Sequence, residues 1–298
     1  MTRFIFVAAE RGNHAVAKLC RAIGASASGF YGWLRAIPAL QDRAEAEAGL
    51  RGHISRIFSA RRQAYGSPRV HAELRREGRR HARRRRVARL RREMGLAARR
   101  GRRRAPRTTD SRHDIPVAAN LLDRNFAAER PDTVWLADLS YIPTAEGWLY
   151  LAAVEDLATR EIIGWSMADH LRAGLCVDAL VMALQRRRPP RGLIHHRDRG
   201  VPYAAEPYCR LLERHGIKQS MSRRGNCRDN APMESFFASL KMEHVPHVRF
   251  RTRAEAKASV FDYVEIFYNR QRLHSALGYR TPVETRLRME GIAIRAAA

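Results

Sequence analysis

The sequence predicts an all-α front part, up to residue 100, and a mixed α/β back part over residues 126–290. Apolar residues recur at helical spacing in the front part, whereas short apolar runs of strand length alternate with helical segments in the back part. Charge divides the chain near the same place. Residues 1–110 hold 28 of the 56 Lys and Arg but only 8 of the 30 Asp and Glu, while the remainder is close to balance.

Composition excludes several classes of protein. The 45% share of apolar residues is that of a globular protein, and no run approaches the roughly 18 consecutive apolar residues of a membrane span. Met1–Ala9 lacks the basic start, full apolar segment and cleavage site of a signal peptide. A formal net charge of +26 requires a polyanionic partner, and nucleic acid is the first candidate.

The four cysteines are far apart in the sequence and form no C-x-x-C pair. This spacing argues against a disulfide framework and against a zinc ribbon. We therefore expect a reducing compartment, the cytoplasm. The cysteines are Cys20, Cys176, Cys209 and Cys227.

Residues 1–60 predict a helix-turn-helix-like segment made of short helices. Ala15–Ile23 has helical spacing, Gly24 suits the left-handed end of that helix, and Ser26 suits the N-cap of the next. Two helices joined by a short turn with glycine are the plan of many DNA readers, although helical hairpins that never bind DNA share it. The second helix would carry Phe30, Tyr31, Trp33 and Leu34.

Residues 61–100 predict a second, strongly basic helix-turn-helix region. Pro68 opens a helix that Gly78 ends, and a further helix runs over Arg83–Met94. Arginines that neutralise phosphates release counterions, so we expect DNA binding that weakens steeply with salt. A solvated basic face, enriched in arginine by the base composition of the genome, is the alternative. The DNA-binding candidates in this run are Arg83, Arg84 and Arg86.

Residues 101–125 are predicted to be a linker, and five strands with helices follow in the back part. The short gaps between the first three strands suit an antiparallel meander, and the last two strands alternate with helices. This order predicts a mixed five-stranded sheet of the ribonuclease H type, with a C-terminal helix. The predicted strands are Thr133–Leu139, Leu149–Val154, Ile162–Ser166, Gly192–His195 and Ile217–Met221. The predicted helices are Leu175–Arg187, Ala205–His215, one from Pro232 past Lys241, and Ala254–Tyr268.

Three carboxylates lie where such a sheet would bring them together. Asp138 ends the first predicted strand, Asp198 follows the fourth, and Glu234 lies in the first turn of a helix after thirty-five intervening residues. Clustered carboxylates repel one another unless divalent cations lie between them, and hard oxygen ligands suit Mg²⁺ or Mn²⁺. Two such ions about 4 Å apart can activate an attacking oxygen and stabilise the leaving oxygen of a phosphodiester.

Each of these carboxylates has a structural alternative. Asp138 can be a turn residue at a strand end, and Asp198 can be a loop carboxylate. Glu234 can be a capping glutamate if Pro232 takes the first helical position. The pair His195-His196 suits either a zinc site or a role in the core, and the lack of matching Cys or spaced His favours the core.

Nine short motifs follow one another along the chain. They are Cys20–Trp33, Tyr65-Gly66-Ser67-Pro68-Arg69, Trp135-Leu136-Ala137-Asp138, Gly147-Trp148-Leu149-Tyr150-Leu151, Gly164-Trp165-Ser166, His195-His196-Arg197-Asp198-Arg199-Gly200, Asp229-Asn230-Ala231-Pro232-Met233-Glu234-Ser235-Phe236-Phe237, Lys241-Met242-Glu243, and Tyr268-Asn269-Arg270-Gln271-Arg272-Leu273-His274. This series resembles the second-reading-frame product of the insertion-sequence-three family of transposases. Its integrase core is of the DDE type shared with retroviral integrases. The resemblance covers nearly the whole chain.

That resemblance implies a DDE transposase, a polynucleotidyl transferase whose catalytic metal-binding triad is Asp138, Asp198 and Glu234, holding two Mg²⁺ or Mn²⁺ ions. Such an enzyme cuts a DNA strand at the terminal inverted repeat of its element. The exposed 3′-hydroxyl first joins the ends into a circle and later integrates into target DNA. Water and this hydroxyl are the nucleophiles, so no Ser or Tyr nucleophile is needed.

The resemblance also implies partners. These are the double-stranded DNA of the element ends and of the target, further copies of the chain, and an upstream-frame product, separate or fused by frameshifting. We expect the chain to be in the bacterial cytoplasm, associated with the nucleoid and not with a membrane. The alternatives are a ribonuclease H-like nuclease, which cuts but does not join, and a DNA-binding regulator with a silent core.

Four further residues are predicted to contact DNA. Lys241 lies seven residues, about two turns, after Glu234, so it shares that helix face and can hold a phosphate near the metals. Asn230, Arg270 and His274 fit the family pattern and would position DNA, with a solvated or structural role as the alternative for each.

Overall fold

The computed structural model describes residues 2–99, 118–223 and 226–292. The front part is helical and the back part holds a five-stranded mixed sheet with helices, as predicted. The helices are α1 (Thr2–Glu10), α2 (Val16–Ala22), α3 (Ala27–Ala60), α4 (Ser67–Arg76), α5 (Arg84–Glu93), α6 (Ala173–Arg187), α7 (Val201–Ala204), α8 (Glu206–Arg214), α9 (Ala231–Glu243), α10 (Arg253–Phe261) and α11 (Pro282–Met289). The strands are β1 (Val134–Thr144), β2 (Gly147–Asp156), β3 (Ile162–Ala168), β4 (Ile194–Arg197) and β5 (Lys218–Met221).

The predicted turn between α2 and α3 is confirmed. Gly24 has a φ of +63°, which favours glycine, and the Ser26 hydroxyl accepts a hydrogen bond from the Gly29 amide at 3.2 Å. Helix α1, which the sequence analysis did not predict, packs against this pair. The small core that results contains Val7, Leu19, Cys20 and Phe30.

Helix α3 corrects the expectation of short helices. It runs for 34 residues and continues through Pro38. The stretch after Pro38 is rich in Ala and Glu, which favour helix, and this propensity carries the helix across an exposed middle section. The two ends belong to different cores: Phe30 packs with α1 and α2, whereas Leu50 and Ile54 pack with α4 and α5.

The strand order in the sheet is β3-β2-β1-β4-β5. The pairs β1–β2 and β2–β3 are antiparallel, and the pairs β1–β4 and β4–β5 are parallel. Strand β1 is longer than predicted, so Asp138 lies inside it and not at its end. The reason is the hairpin: β1 pairs with β2 as far as Thr144 but with β4 only over Val134–Ala137.

The front part packs directly onto the back part. A continuous hydrophobic core includes Leu74 and Val87 of the front helices together with Phe236 of α9. The Tyr65 hydroxyl donates to the Gln271 carbonyl at 2.9 Å and accepts from the Leu273 amide at 2.8 Å. The charge boundary in the sequence is therefore not a boundary in packing.

A buried ion pair strengthens this contact. The Arg272 guanidinium donates two hydrogen bonds of 2.7 Å to the carboxylate of Glu243 at the end of α9. Arg69 of α4 donates to the same carboxylate at 3.2 Å. Because the Arg272–Glu243 pair is buried, its hydrogen bonds must offset the cost of removing both charges from water.

The end of the predicted linker lies against the sheet. Residues 101–117 are outside the described residues, but 118–125 contact the β5 region. The Leu121 amide donates to the Ser220 hydroxyl at 2.9 Å, the Met221 amide donates to the Ala119 carbonyl at 3.3 Å, and Leu122 is buried. The domain boundaries at 60, 100 and 125 remain predictions. Among the described helices, none is long and apolar enough to span a membrane.

Candidate active site

The sheet register brings Asp138 and Asp198 side by side. The parallel pairing of β1 with β4 ends where Ala137 lies opposite Arg197. Asp138 and Asp198 directly follow these two residues in the sequence. Neighbouring strands lie about 4.8 Å apart, so two carboxylates start from adjacent positions at this point of the sheet. Asp138 Oδ1 accepts a hydrogen bond from the Leu139 backbone amide at 2.8 Å. Asp198 Oδ1 accepts one from the Gly200 backbone amide at 2.9 Å.

Glu234 lies in the first turn of α9, close enough for its charge to act on Asp138. The Asn230 side-chain amide donates to the Ala137 carbonyl at 3.0 Å, which fixes the start of α9 beside the residue that precedes Asp138. Pro232 is the second residue of the helix, not the first, so Glu234 is the fourth. The Glu234 side chain is exposed and its charge acts on Asp138.

The electrostatics of Asp138 show that these charges interact. Burial raises the pKa of Asp138 well above its ordinary value, the charge of Asp198 raises it further, and Glu234 adds to the effect. The Leu139 amide and the Lys241 ammonium act in the opposite direction. Within the described ranges, no three His, Cys, Asp or Glu side chains are already grouped as ligands of a metal ion.

Lys241 lies on the rim of this site. Its Nζ is 4.5 Å from the centre of the Tyr141 ring, a cation–π contact. Burial lowers the pKa of Lys241, and the negative charge of Asp138 opposes that shift. Lys241 therefore lies close enough to Asp138 for the two charges to interact.

Asp229 is a supporting residue that the sequence analysis did not single out. It is buried and accepts hydrogen bonds from the Arg223 amide and guanidinium, all at 2.9 Å, and from Arg124 Nε at 3.0 Å. The hydrogen bonds from Arg223 hold its pKa far below the ordinary value. The fixed charge anchors the loop between β5 and α9, and the Asp-Asn pair before the helix was its signal.

The histidine pair has the core role that the sequence favoured over zinc binding. His195 Nε2 lies 2.6 Å from the Tyr208 hydroxyl, and His196 lies between the hydroxyls of Ser220 at 2.8 Å and Ser222 at 3.1 Å. Both rings are fully buried, and burial lowers the pKa of His196 to about 4. The neutral imidazole of His195 thus joins β4 to α8, and that of His196 joins β4 to β5 and to Ser222 beyond its end.

Asn230 and His274, both predicted to contact DNA, lie in the interior at 4% and 8% exposure. The Asn230 side chain donates a hydrogen bond to the Ala137 carbonyl of β1. The His274 ring packs edge-on against the Tyr268 ring, with 4.7 Å between the ring centres. These contacts favour the structural alternative for both. Arg270 is exposed, and its contact with DNA remains a prediction.

Some arginines of the front part are exposed, whereas others are buried or form ion pairs within the protein. Arg83 and Arg84 are exposed at the start of α5. Arg86 forms an ion pair with Glu47, with 3.7 Å between its guanidinium nitrogen and the carboxylate oxygen. Arg91 is buried over the Phe58 ring and bonds the Leu96 carbonyl, so it is unavailable to phosphate. Further arginines form ion pairs within the protein; they are Arg51, Arg56, Arg61, Arg62, Arg69, Arg76 and Arg89. In the stretch from α4 to the end of α5, the exposed arginines outside these pairs are Arg75, Arg79, Arg80, Arg83, Arg84, Arg85 and Arg92.

A further buried carboxylate, Glu155 of β2, predicts a pH-dependent stability. Burial raises its pKa to about 7 from 4.5, although Arg160 opposes the shift. The folded protein thus retains a proton that the unfolded chain releases, and stability falls as pH rises between these values. We expect Glu155→Gln to raise the free energy of unfolding by roughly 2 kcal/mol at pH 8 and by little at pH 4.5. Urea unfolding at both pH values measures this difference, and a gain independent of pH would contradict it.

Three family models match the chain. Two describe an integrase core domain, over residues 128–227 and 215–282, and the third describes an HTH-like domain over residues 43–104. Among solved structures, the catalytic core domain of BIV integrase shares 16% identity at a TM-score of 0.40, covering 54% of this chain and 97% of that one.

Two curated relatives are similar over nearly their full length. The chain is 46% identical over 268 residues to an uncharacterized 31 kDa protein of insertion element IS600 from Shigella sonnei, covering 90% of this chain and 97% of the relative. It is 39% identical over 280 residues to the transposase InsF for insertion sequence IS3A from Escherichia coli K12, covering 94% and 96%. The chain belongs to the IS3 family of insertion-sequence transposases, with an HTH-like region and an integrase core.

Proposed function

We propose that this chain cuts a DNA strand at the ends of its insertion element and transfers the exposed 3′-hydroxyl to another strand, with Asp138, Asp198 and Glu234 as the catalytic residues. One observation carries the proposal. The β1–β4 register makes Asp138 and Asp198 neighbours, Asn230 ties the start of α9 to β1, and the pKa of Asp138 is raised first by burial and then by the charges of Asp198 and Glu234. Two carboxylate charges that act on a third, in a chain of a DNA-transposase family, support a shared catalytic role.

The three carboxylates would hold Mg²⁺ or Mn²⁺, two ions in all. The donor set fits, because it consists of carboxylate oxygens, which hard cations prefer. The pKa of Asp138 is raised first by burial and then by the charges of Asp198 and Glu234, and a bound cation would offset that repulsion, which supports the proposal. When bound, such ions supply the charge that stabilises the phosphodiester as it is attacked.

The surrounding residues have distinct tasks in this proposal. Asn230 holds the start of α9 against β1, and Asp229 fixes the segment just before it, so that Glu234 would stay near the aspartates. Lys241 neutralises a phosphate of the strand that is cut. The exposed arginines beside α4 and α5, with Arg270, hold the DNA of the element end and of the target. Two ends must be bridged, so the working form would be an assembly of several copies, with or without an upstream-frame partner.

A strand-transfer assay tests the proposal. The DNA carries the terminal repeats that flank the gene, with Mg²⁺ or Mn²⁺ added, and products are resolved by size. We expect joined molecules from the wild type and at least a thousandfold less product, on the order of 4 kcal/mol in barrier, from Glu234→Gln, because the amide cannot balance a cation.

Glu206→Gln is the matched control, since Glu206 is also an exposed glutamate in the first turn of a helix. It should join DNA like the wild type. Cutting without joining would favour a ribonuclease H-like nuclease. DNA binding with neither reaction, even after addition of the upstream-frame product, would favour a regulator with a silent core.

A further inference from the structure

Two neighbouring aromatic rings on the β1–β2 hairpin expose part of their surface to solvent. Trp148, the second residue of β2, is 46% exposed, and Tyr141 of β1 is half-buried. The register pairs Tyr141 with Tyr150 and Pro143 with Trp148, so both rings rise from the same face of the hairpin. Their centres are 4.8 Å apart and their planes are at 85°, an edge-to-face pair. We call Tyr141 and Trp148 the aromatic platform.

A cation links the aromatic platform to the catalytic carboxylates. Lys241 Nζ lies 4.5 Å from the centre of the Tyr141 ring, and its charge also acts on Asp138. The Trp148 indole therefore contacts the Tyr141 ring, this ring contacts the Lys241 ammonium, and the ammonium charge acts on the Asp138 carboxylate. A ring surface next to an ammonium is the arrangement that binds one nucleotide, with the base on the ring and the phosphate on the cation.

The hairpin that carries the platform is held in place from outside the sheet. Arg253 Nε donates to the Trp148 carbonyl at 3.1 Å, and the Arg253 amide donates to Glu146 at 2.8 Å. The Ala145 amide donates to the Phe250 carbonyl at 3.0 Å. An exposed ring on an anchored backbone loses little entropy when a ligand stacks on it.

We infer that the aromatic platform binds a nucleobase that has left the DNA stack next to the phosphate being cut or joined, with Lys241 on the phosphate. Bases inside a duplex stack on each other and present only their edges, so a ring can reach a base face only where the strand is frayed or flipped. The inference rests on the proposed function, which puts a DNA strand at Asp138. It adds that the strand is locally unpaired there.

Binding of a fluorescent single-stranded DNA oligonucleotide to the full chain, without divalent cations, tests the platform. We expect Trp148→Ala to weaken binding by about 5- to 150-fold, the range for one stacked base, and Trp148→Phe to weaken it less. Phe261→Ala is the matched control, because Phe261 is 48% exposed but packs on Trp165 of the edge strand β3. It should bind like the wild type.

The salt dependence separates stacking from charge. Trp148→Ala should leave the slope of log affinity against log salt unchanged, whereas Lys241→Met should reduce it by about one phosphate contact. Equal affinity of Trp148→Ala and wild type would overturn the inference, and so would an equal loss in Phe261→Ala. Both readouts concern binding alone, so they stand whether or not the chain cuts DNA.

A second measurement identifies the strand that supplies the base. Element-end DNA or target DNA is prepared with the bases beside the reacting phosphate already unpaired, and strand transfer by Trp148→Ala is compared with that of the wild type. Relief of the defect by the unpaired element end assigns the base to the donor strand, and relief by the unpaired target assigns it to the target. Relief by neither would contradict a role for the platform in unpairing.

Discussion

Asp198→Asn is expected to abolish both cutting and joining of DNA, by at least about a thousandfold, while leaving DNA binding intact. The substitution removes the negative charge that a divalent cation would need. It keeps the Oδ1 atom that accepts the Gly200 amide at 2.9 Å, so the backbone after β4 should be unchanged. DNA binding should persist because the exposed arginines of the front part lie on other elements.

Strand transfer and a mobility-shift titration on the same preparation measure the two properties separately. Asp178→Asn, an exposed aspartate on α6, is the matched control and should react like the wild type. Retained activity in Asp198→Asn would contradict the proposed triad. A loss of DNA binding together with activity would indicate that Asp198 has a structural role.

Gly164→Ala is expected to have the largest effect on stability. A Cβ atom built at Gly164 of β3 would lie 2.2 Å from the Ala179 carbonyl oxygen and 2.8 Å from the Ala183 amide nitrogen, both in the backbone of α6. The helix must move away from the sheet, which opens the core on that side. We expect a loss of about 3 kcal/mol or more in the free energy of unfolding.

Gly174→Ala is the control for this prediction. Gly174 lies in the first turn of α6, and nothing is within 4 Å of its added Cβ. Alanine favours helix over glycine by up to about 1 kcal/mol, so this variant should be as stable as the wild type or more so. Urea unfolding followed by circular dichroism compares the two. Equal midpoints for Gly164→Ala and wild type would mean that α6 does not pack as closely on β3 as described.

Local patterns were sufficient for most elements of the fold. The turn at Gly24 and the cap at Ser26 depend on a few neighbouring residues, and both are present as predicted. The five strands and the order of helices between them follow from periodicity, which is also local. The length of α3 was missed: short helices were expected, whereas the helix-forming residues after Pro38 continue one helix to Ala60.

The candidate site, like the fold, could be predicted only in part from the sequence. Its three carboxylates were found from sequence, because their spacing and neighbouring motifs are linear features. Their approach depends on the β1–β4 register, and the anchoring by Asn230 and Asp229 depends on contacts between segments far apart in the chain. Sequence alone could not separate a buried Asn230 or His274 from a DNA-contacting one, since both readings use the same residue types.

The sequence by itself determined the class of fold and the family and supplied the three carboxylates of the proposed triad, because periodicity, composition and motif spacing are properties of the linear chain. Only the tertiary structure decided that the basic front part shares a core with the integrase part and that many of its arginines pair with Glu or Asp. It also decided that Tyr141 contacts both Trp148 and Lys241. Burial and charge pairing arise from contacts between distant segments, and no local pattern records them.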